Sequence, residues 1–131
     1  MSGSILVIDD SVTLLQKIKS HLVLDHYEVV TATTYPEARP HLGRVDLVII
    51  DFHMPGQDGA DMVVAFRKAL GNAQNPPLLY LHTTDSNQAA NYKSLKFDGV
   101  IGMKGNYEML SKQVVAAMRL RRLSVKMRIA P

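Results

Sequence analysis

Leu47-Val48-Ile49-Ile50-Asp51-Phe52-His53-Met54-Pro55-Gly56-Gln57-Asp58-Gly59 runs four apolar residues into an acid and then into a turn rich in proline and glycine. A run that is apolar at every position, not at alternate ones, reads as a strand buried on both faces. The same pattern recurs at residues 5–8, 29–32, 78–81 and 100–103. Between these runs the apolar spacing lengthens to that of helices. Ser11 is a plausible N-cap for a first helix that carries Val12, Leu15, Ile18 and Leu22 on one side. Asp58 can cap a helix through Met62, Val63, Phe66 and Leu70, stopped by Gly71 and the breaker Asn75-Pro76-Pro77. A last helix starts near Asn106 and turns Leu110, Val114, Ala117 and Met118 inward. The alternation βα occurs five times, which predicts an α/β fold: a doubly wound, five-stranded parallel sheet with right-handed crossovers and helices on both faces.

Composition bounds the rest. At 131 residues and 47% apolar content the chain suits one core. We expect one globular unit over residues 1–122, followed by a basic tail or linker at 123–131. Cysteine is absent, which removes disulfides, thiolate metal sites and thiol nucleophiles, and fits a reducing cytoplasm. The opening MSGSILVIDD sets two acids behind four apolar residues, unlike a signal peptide with its basic start and longer apolar stretch, and no segment has the length of a membrane span. The net charge of +3 is unevenly distributed, because Lys112, Arg119, Arg121, Arg122, Lys126 and Arg128 crowd one end. Such cations suit the negative end of a helix macrodipole. No recognition-helix pattern and no interleaved aromatics accompany them, so nucleic acid is not the expected partner.

In doubly wound sheets ligands sit outside the carboxyl ends of the strands. There the sequence puts Asp9 and Asp10 after the first run, Asp51 after the third, His82 and Thr83 after the fourth, and Lys104 after the fifth. Two unit charges roughly 4 Å apart repel by about 4 kcal/mol at an effective dielectric near 20, so three carboxylates on neighbouring strand ends call for a cation among them. An all-oxygen cluster with few protein ligands suits Mg²⁺, which keeps several waters and commonly shares its shell with phosphate oxygens. Lys104 could add a second cation. An aspartate nucleophile flanked by such charges can form an acyl phosphate by in-line transfer. Taken singly, Asp10 with Ser11 could be a helix cap pair and Asp51 a loop residue. Asp58 reads as a cap, not a member of the site, and His21, His26 and His41 lack metal-ligand spacing.

ILVIDDS, DFHMPGQDG and a lysine closing the fifth run together resemble the response-regulator receiver family of two-component signalling, of the chemotaxis-regulator kind with its flavodoxin-like (βα)5 fold. The resemblance spans nearly the whole chain. It implies that Asp51 is the phosphoacceptor and that Asp9, Asp10, Asp51 and the backbone carbonyl of His53 hold Mg²⁺. It also implies that Lys104 contacts the phosphoryl group, and that Met54, Pro55, Gly56 and Gly59 shape the turn after the acceptor. The implied partners are a sensor histidine kinase or phosphotransfer protein on one side and a downstream protein target or fused output domain on the other. The surface between them would be the face of helix four, strand five and helix five. On this reading the chain is a switch, not an enzyme with turnover. Two rivals are a receiver-like scaffold without transfer and an aspartate-nucleophile phosphatase; phosphatases of the haloacid dehalogenase kind carry an acid where this chain has His53, and no P-loop or G-x-G-x-x-G follows any strand.

Three neighbouring positions depart from the family pattern. The family has a Ser or Thr ending strand four, an aromatic three residues before the lysine and a proline after it; here stand His82 or Thr83, Ile101 and Gly105. We expect phosphoryl chemistry to survive and the conformational response around strand five to be weak or rerouted.

Overall fold

The computed structural model describes residues 3–52, 54, 56, 58–102 and 105–129, without the side chains of 126–129. His53, Pro55, Met103 and Lys104, each given a place above, lie outside the described residues. Five strands form one parallel sheet: β1 (Ser4–Ile8), β2 (Glu28–Ala32), β3 (Leu47–Asp51), β4 (Leu78–His82) and β5 (Gly99–Ile101), in the order β2-β1-β3-β4-β5. This is the doubly wound order whose reversal, between β1 and β3, creates a crevice at the carboxyl edge.

Strict alternation along the central strands divides the core. Ile5, Val7, Leu47, Ile49, Tyr80 and Ile101 face one side, with Leu15, Ile18 and Leu22 of α1 (Val12–Leu24) and Leu110, Val114, Ala117 and Met118 of α5 (Tyr107–Ile129). Leu6, Ile8, Val48, Ile50, Leu79 and Leu81 face the other, with Met62, Val63 and Phe66 of α3 (Gly59–Leu70). Central strands covered on both faces have no polar face to show, which is why their sequences are continuous apolar runs. At Gly99 the packing is close: a Cβ there would lie 2.5 Å from the Tyr80 ring. Burial, with the Asp98 carboxylate second, raises the Tyr80 phenol above its ordinary pKa.

The caps form as expected. Ser11 Oγ accepts the Leu14 N–H at 3.2 Å, Asp58 Oδ1 accepts the Asp61 N–H at 2.9 Å, and Asn106 Oδ1 accepts the Met109 N–H at 3.0 Å. Gly71 ends α3 at φ 53°, a left-handed conformation that glycine adopts without steric cost. Val12, the first residue of α1 after its Ser11 cap, departs from the side assigned to it and is 56% exposed.

Two of the five helices are shorter than the alternation suggests. The second crossover is one α-turn, α2 (Tyr35–Ala38), passing into a 3-10 segment at Arg39–Arg44, because Pro40 has no N–H to continue an α-ladder. The fourth helix, α4 (Ser86–Ala90), buries no residue. The chain then turns through Lys96, held at φ 73°, whose carbonyl accepts from the Arg67 guanidinium. The last helix runs without a break through residue 122 and on to Ile129. Arg121, 8% exposed, ties this second half to the body through the Asn75 carbonyl at 3.0 Å and Asp46 at 3.8 Å. No helix of the described residues is long and apolar enough to cross a membrane.

Candidate functional site

The carboxyl ends of β1 and β3 are neighbours across the order reversal, and each delivers an acid as its last side chain or just beyond it. Period-two alternation puts Asp9 and Asp51 on the face that α1 and α5 cover, and both are buried, at 2% and 6% exposure. Asp10 is exposed. One carboxylate oxygen from each of Asp9, Asp10 and Asp51 lies within 4.8 Å of the others. Asp9 is also held locally, its Oδ1 accepting the Ser11 N–H at 2.9 Å, so the residue that could ligate an ion also fixes the start of α1. Three hard oxygens converging at the mouth of a crevice, with room on the exposed side of Asp10 for water, fit a divalent oxygen-seeking ion such as Mg²⁺.

Downstream of Asp51 the chain folds back tightly. The Gly59 N–H donates to the Phe52 carbonyl at 2.7 Å, and a Cβ on Gly59 would come within 2.9 Å of the Phe52 Cα. Only a glycine permits that approach, and Gly56 at φ 80° makes the turn before it. The acid after β3 is thus braced by backbone.

Across the other half of the edge the strands continue in register. Asp51 pairs with His82, and His82 with Ile101, giving a row Asp51, His82, Ile101 across β3, β4 and β5. All three share the face covered by α1 and α5, and His82 and Ile101 are 3% and 0% exposed. Thr83 is one step beyond the row, and its hydroxyl is engaged, donating to Gln88 Oε1 at 2.7 Å and accepting the Asp85 N–H at 3.0 Å. That turn builds α4. Sequence reasoning missed this role of Thr83, although a Thr two residues before an Asp is a recognisable side-chain turn signal.

Residues 5–114 match the response regulator receiver domain family. The chain belongs to that family. Among solved receiver domains it is similar to the chemotaxis response regulator CheY4 of Vibrio cholerae, at 25% identity and a TM-score of 0.75 over 89% of this chain and 99% of that one. It is also similar to the response regulator TrrA of Thermotoga maritima, solved in complex with Mg²⁺ and beryllofluoride, at 28% identity and a TM-score of 0.73 over 88% and 98% of the two chains. A stretch of 61 residues is 38% identical to the response regulator PleD of Caulobacter vibrioides, covering 45% of this chain and 13% of PleD. This receiver domain therefore carries the family's fold and an acid cluster at the carboxyl edge of its sheet.

Proposed function

We propose that Asp51 accepts a phosphoryl group from the phosphohistidine of a partner sensor kinase or phosphotransfer protein, in a Mg²⁺-dependent step within the cytoplasm. The observation that carries the reading is the convergence of Asp9, Asp10 and Asp51 within 4.8 Å in a chain of the receiver family. An Asp51 carboxylate oxygen attacks phosphorus, the P–N bond to the donor imidazole breaks in line, and an acyl phosphate results. Asp9, Asp10, Asp51 and the His53 backbone carbonyl would hold the ion, which when bound offsets negative charge on the phosphoryl oxygens. Lys104 is assigned to the same phosphoryl oxygens. His82 takes the place that the family gives to a hydroxyl, which is supported by its register with Asp51 and by the engagement of Thr83 in the α4 turn.

The response to phosphorylation is confined to the acid side of the edge. Ile101, in line with His82, has no hydroxyl to bond and no ring to pivot, and α4, though bonded to Thr83 through Gln88, buries no residue against the sheet. The downstream target would read the site through the loop after Asp51.

Incubation with acetyl phosphate and Mg²⁺, followed by intact-mass measurement, tests the assignment. A single lasting phosphoryl adduct is expected. Rapid consumption of many phosphate esters would mark a phosphatase instead, and no adduct would mark a scaffold.

A further inference from the structure

We propose that the cleft between the end of α1 and the middle of α5 binds a small amphipathic organic anion, an apolar ring or chain bearing one anionic group. This open cleft of about 580 Å³ has the size of a small-molecule site. It lies at the opposite edge of the sheet from Asp51, because Tyr27 in its wall precedes Glu28, the first residue of β2. One wall is the chain leaving α1. There the N–H groups of Asp25, His26 and Tyr27 donate back to the carbonyls of Leu22, Val23 and Leu22 at 3.1, 2.9 and 3.2 Å, and His26 turns at φ 70°. That wall is braced by backbone before anything binds, which lowers the cost of binding. The facing wall is α5, through Ser111, Lys112, Val115 and Arg119. The Ser111 hydroxyl donates to Asp25 Oδ2 at 2.8 Å and ties the two walls together.

Three features select the ligand, and the first is a phenol. Tyr27 is 4% exposed and borders the cleft, and its hydroxyl has no hydrogen-bond partner among the described residues. Burial, with the Asp25 carboxylate second, raises this phenol above its ordinary pKa against the opposing pull of Arg122. The hydroxyl therefore stays protonated at neutral pH and is a donor that a ligand oxygen can satisfy. Charge is the second feature. Lys112 is 4.0 Å from Glu108 in an exposed pair that water screens, and Arg119 has no ion-pair partner among the described residues. The one carboxylate of the cleft, Asp25, already accepts from Ser111. Two cations and a phenol donor suit an anionic group, whereas a single engaged carboxylate does not suit a cation. Apolar surface is the third. Leu24, 77% exposed at the rim, and Val115 would stay wet beside a bare phosphate, but a ring or chain covers them. The ligand thus lays its apolar body on Leu24 and Val115, with its anionic end toward Tyr27, Lys112 and Arg119.

The test is an amide chemical-shift titration of the full isotope-labelled chain, unphosphorylated, with indole-3-propionate, tryptamine and inorganic phosphate. Indole-3-propionate should bind saturably with a Kd below about 1 mM, as a ligand of about fourteen heavy atoms can, and move the amides from Asp25 to Tyr27 and from Ser111 to Arg119. Tryptamine, with the same ring and the opposite charge, should bind at least about tenfold more weakly. Phosphate at the concentration that saturates the site with indole-3-propionate should leave these amides in place. Arg119→Glu changes an exposed side chain and should weaken indole-3-propionate about tenfold. Tyr27→Phe keeps the buried ring and should weaken it about fivefold. Equal binding of tryptamine, an equal response to phosphate, a titration that does not saturate or shifts that lie elsewhere would overturn the proposal. So would an affinity that neither variant changes. Asp51→Asn should leave the titration unchanged, so this site and the phosphoacceptor reading can fail separately.

Discussion

The two halves of the sheet's carboxyl edge differ in how they treat the same task. At β1 and β3, Asp9, Asp10 and Asp51 converge, Asp9 is bonded to the first turn of α1, and the loop beyond Asp51 is closed by a backbone hydrogen bond at Gly59. At β4 and β5 the row is completed by His82 and Ile101, and the helix that follows β4 is five residues long with nothing buried. The first half holds the acids that the proposed phosphoryl capture uses, which need a cation among them before they can face an anion. On the proposed reading the second half has little with which to pass the event on. On that reading the acceptor and the ion ligands belong to β1 and β3, Lys104 and His82 contribute to the phosphoryl group from the other half, and transmission would rest on β4 and β5.

The largest effect expected is at the acceptor. Asp51→Asn should abolish phosphoryl incorporation from acetyl phosphate, because an amide of the same shape is no nucleophile, while circular dichroism stays native. Label retained on this variant would show that the acid half is not where capture occurs.

Two glycine substitutions sharpen the contrast. Gly59→Ala puts a Cβ 2.9 Å from the Phe52 Cα, and Gly99→Ala puts one 2.5 Å from the Tyr80 ring, so each should cost about 1–3 kcal/mol in chemical denaturation. Only Gly59→Ala should also slow phosphorylation, since only it moves the loop after Asp51. If Gly99→Ala slows the reaction equally, the halves are not independent.

Smaller effects follow at the ion and at the row. Asp10→Asn should lower Mg²⁺ affinity on the order of tenfold by calorimetry, as removal of one of few carboxylates from a hydrated site does. Identical binding would reduce Asp10 to a neighbour of the α1 cap. His82→Thr combined with Ile101→Tyr restores the family's hydroxyl and aromatic. It should leave the extent of Asp51 phosphorylation within about a factor of three, a difference of less than 1 kcal/mol in transition-state stabilisation, while widening the set of residues that respond.

The acid half was legible in the sequence because its signals are local. Continuous apolar runs mark strands covered on both faces, acids mark where they end, and Gly56, Asp58 and Gly59 mark the turn and cap that follow. The second half was less legible because its decisive facts are relational. Whether His82 or Thr83 stands opposite Asp51 depends on strand register, and a slip of one residue would reverse every side chain. The short α4 was hidden for a different reason: Asp85 and Thr83 start a helix, but it stops at the Asn91 cap, with no glycine or proline there to mark the end. Arg121 read as one more cation in a basic tail, and only the packing of α5 against Asn75 and Asp46 separates it from Arg119 and Arg122. The second crossover announced itself weakly, through Pro36 and Pro40, which argue against a long helix without saying what replaces it.

Amide chemical-shift mapping of the isotope-labelled chain, with and without beryllofluoride in the presence of Mg²⁺, tests the separation of capture from transmission most directly. The account predicts changes confined to Asp9 through Ser11 and to the loop from Phe52 to Gly59. A large response spread over residues 82–102 would contradict it.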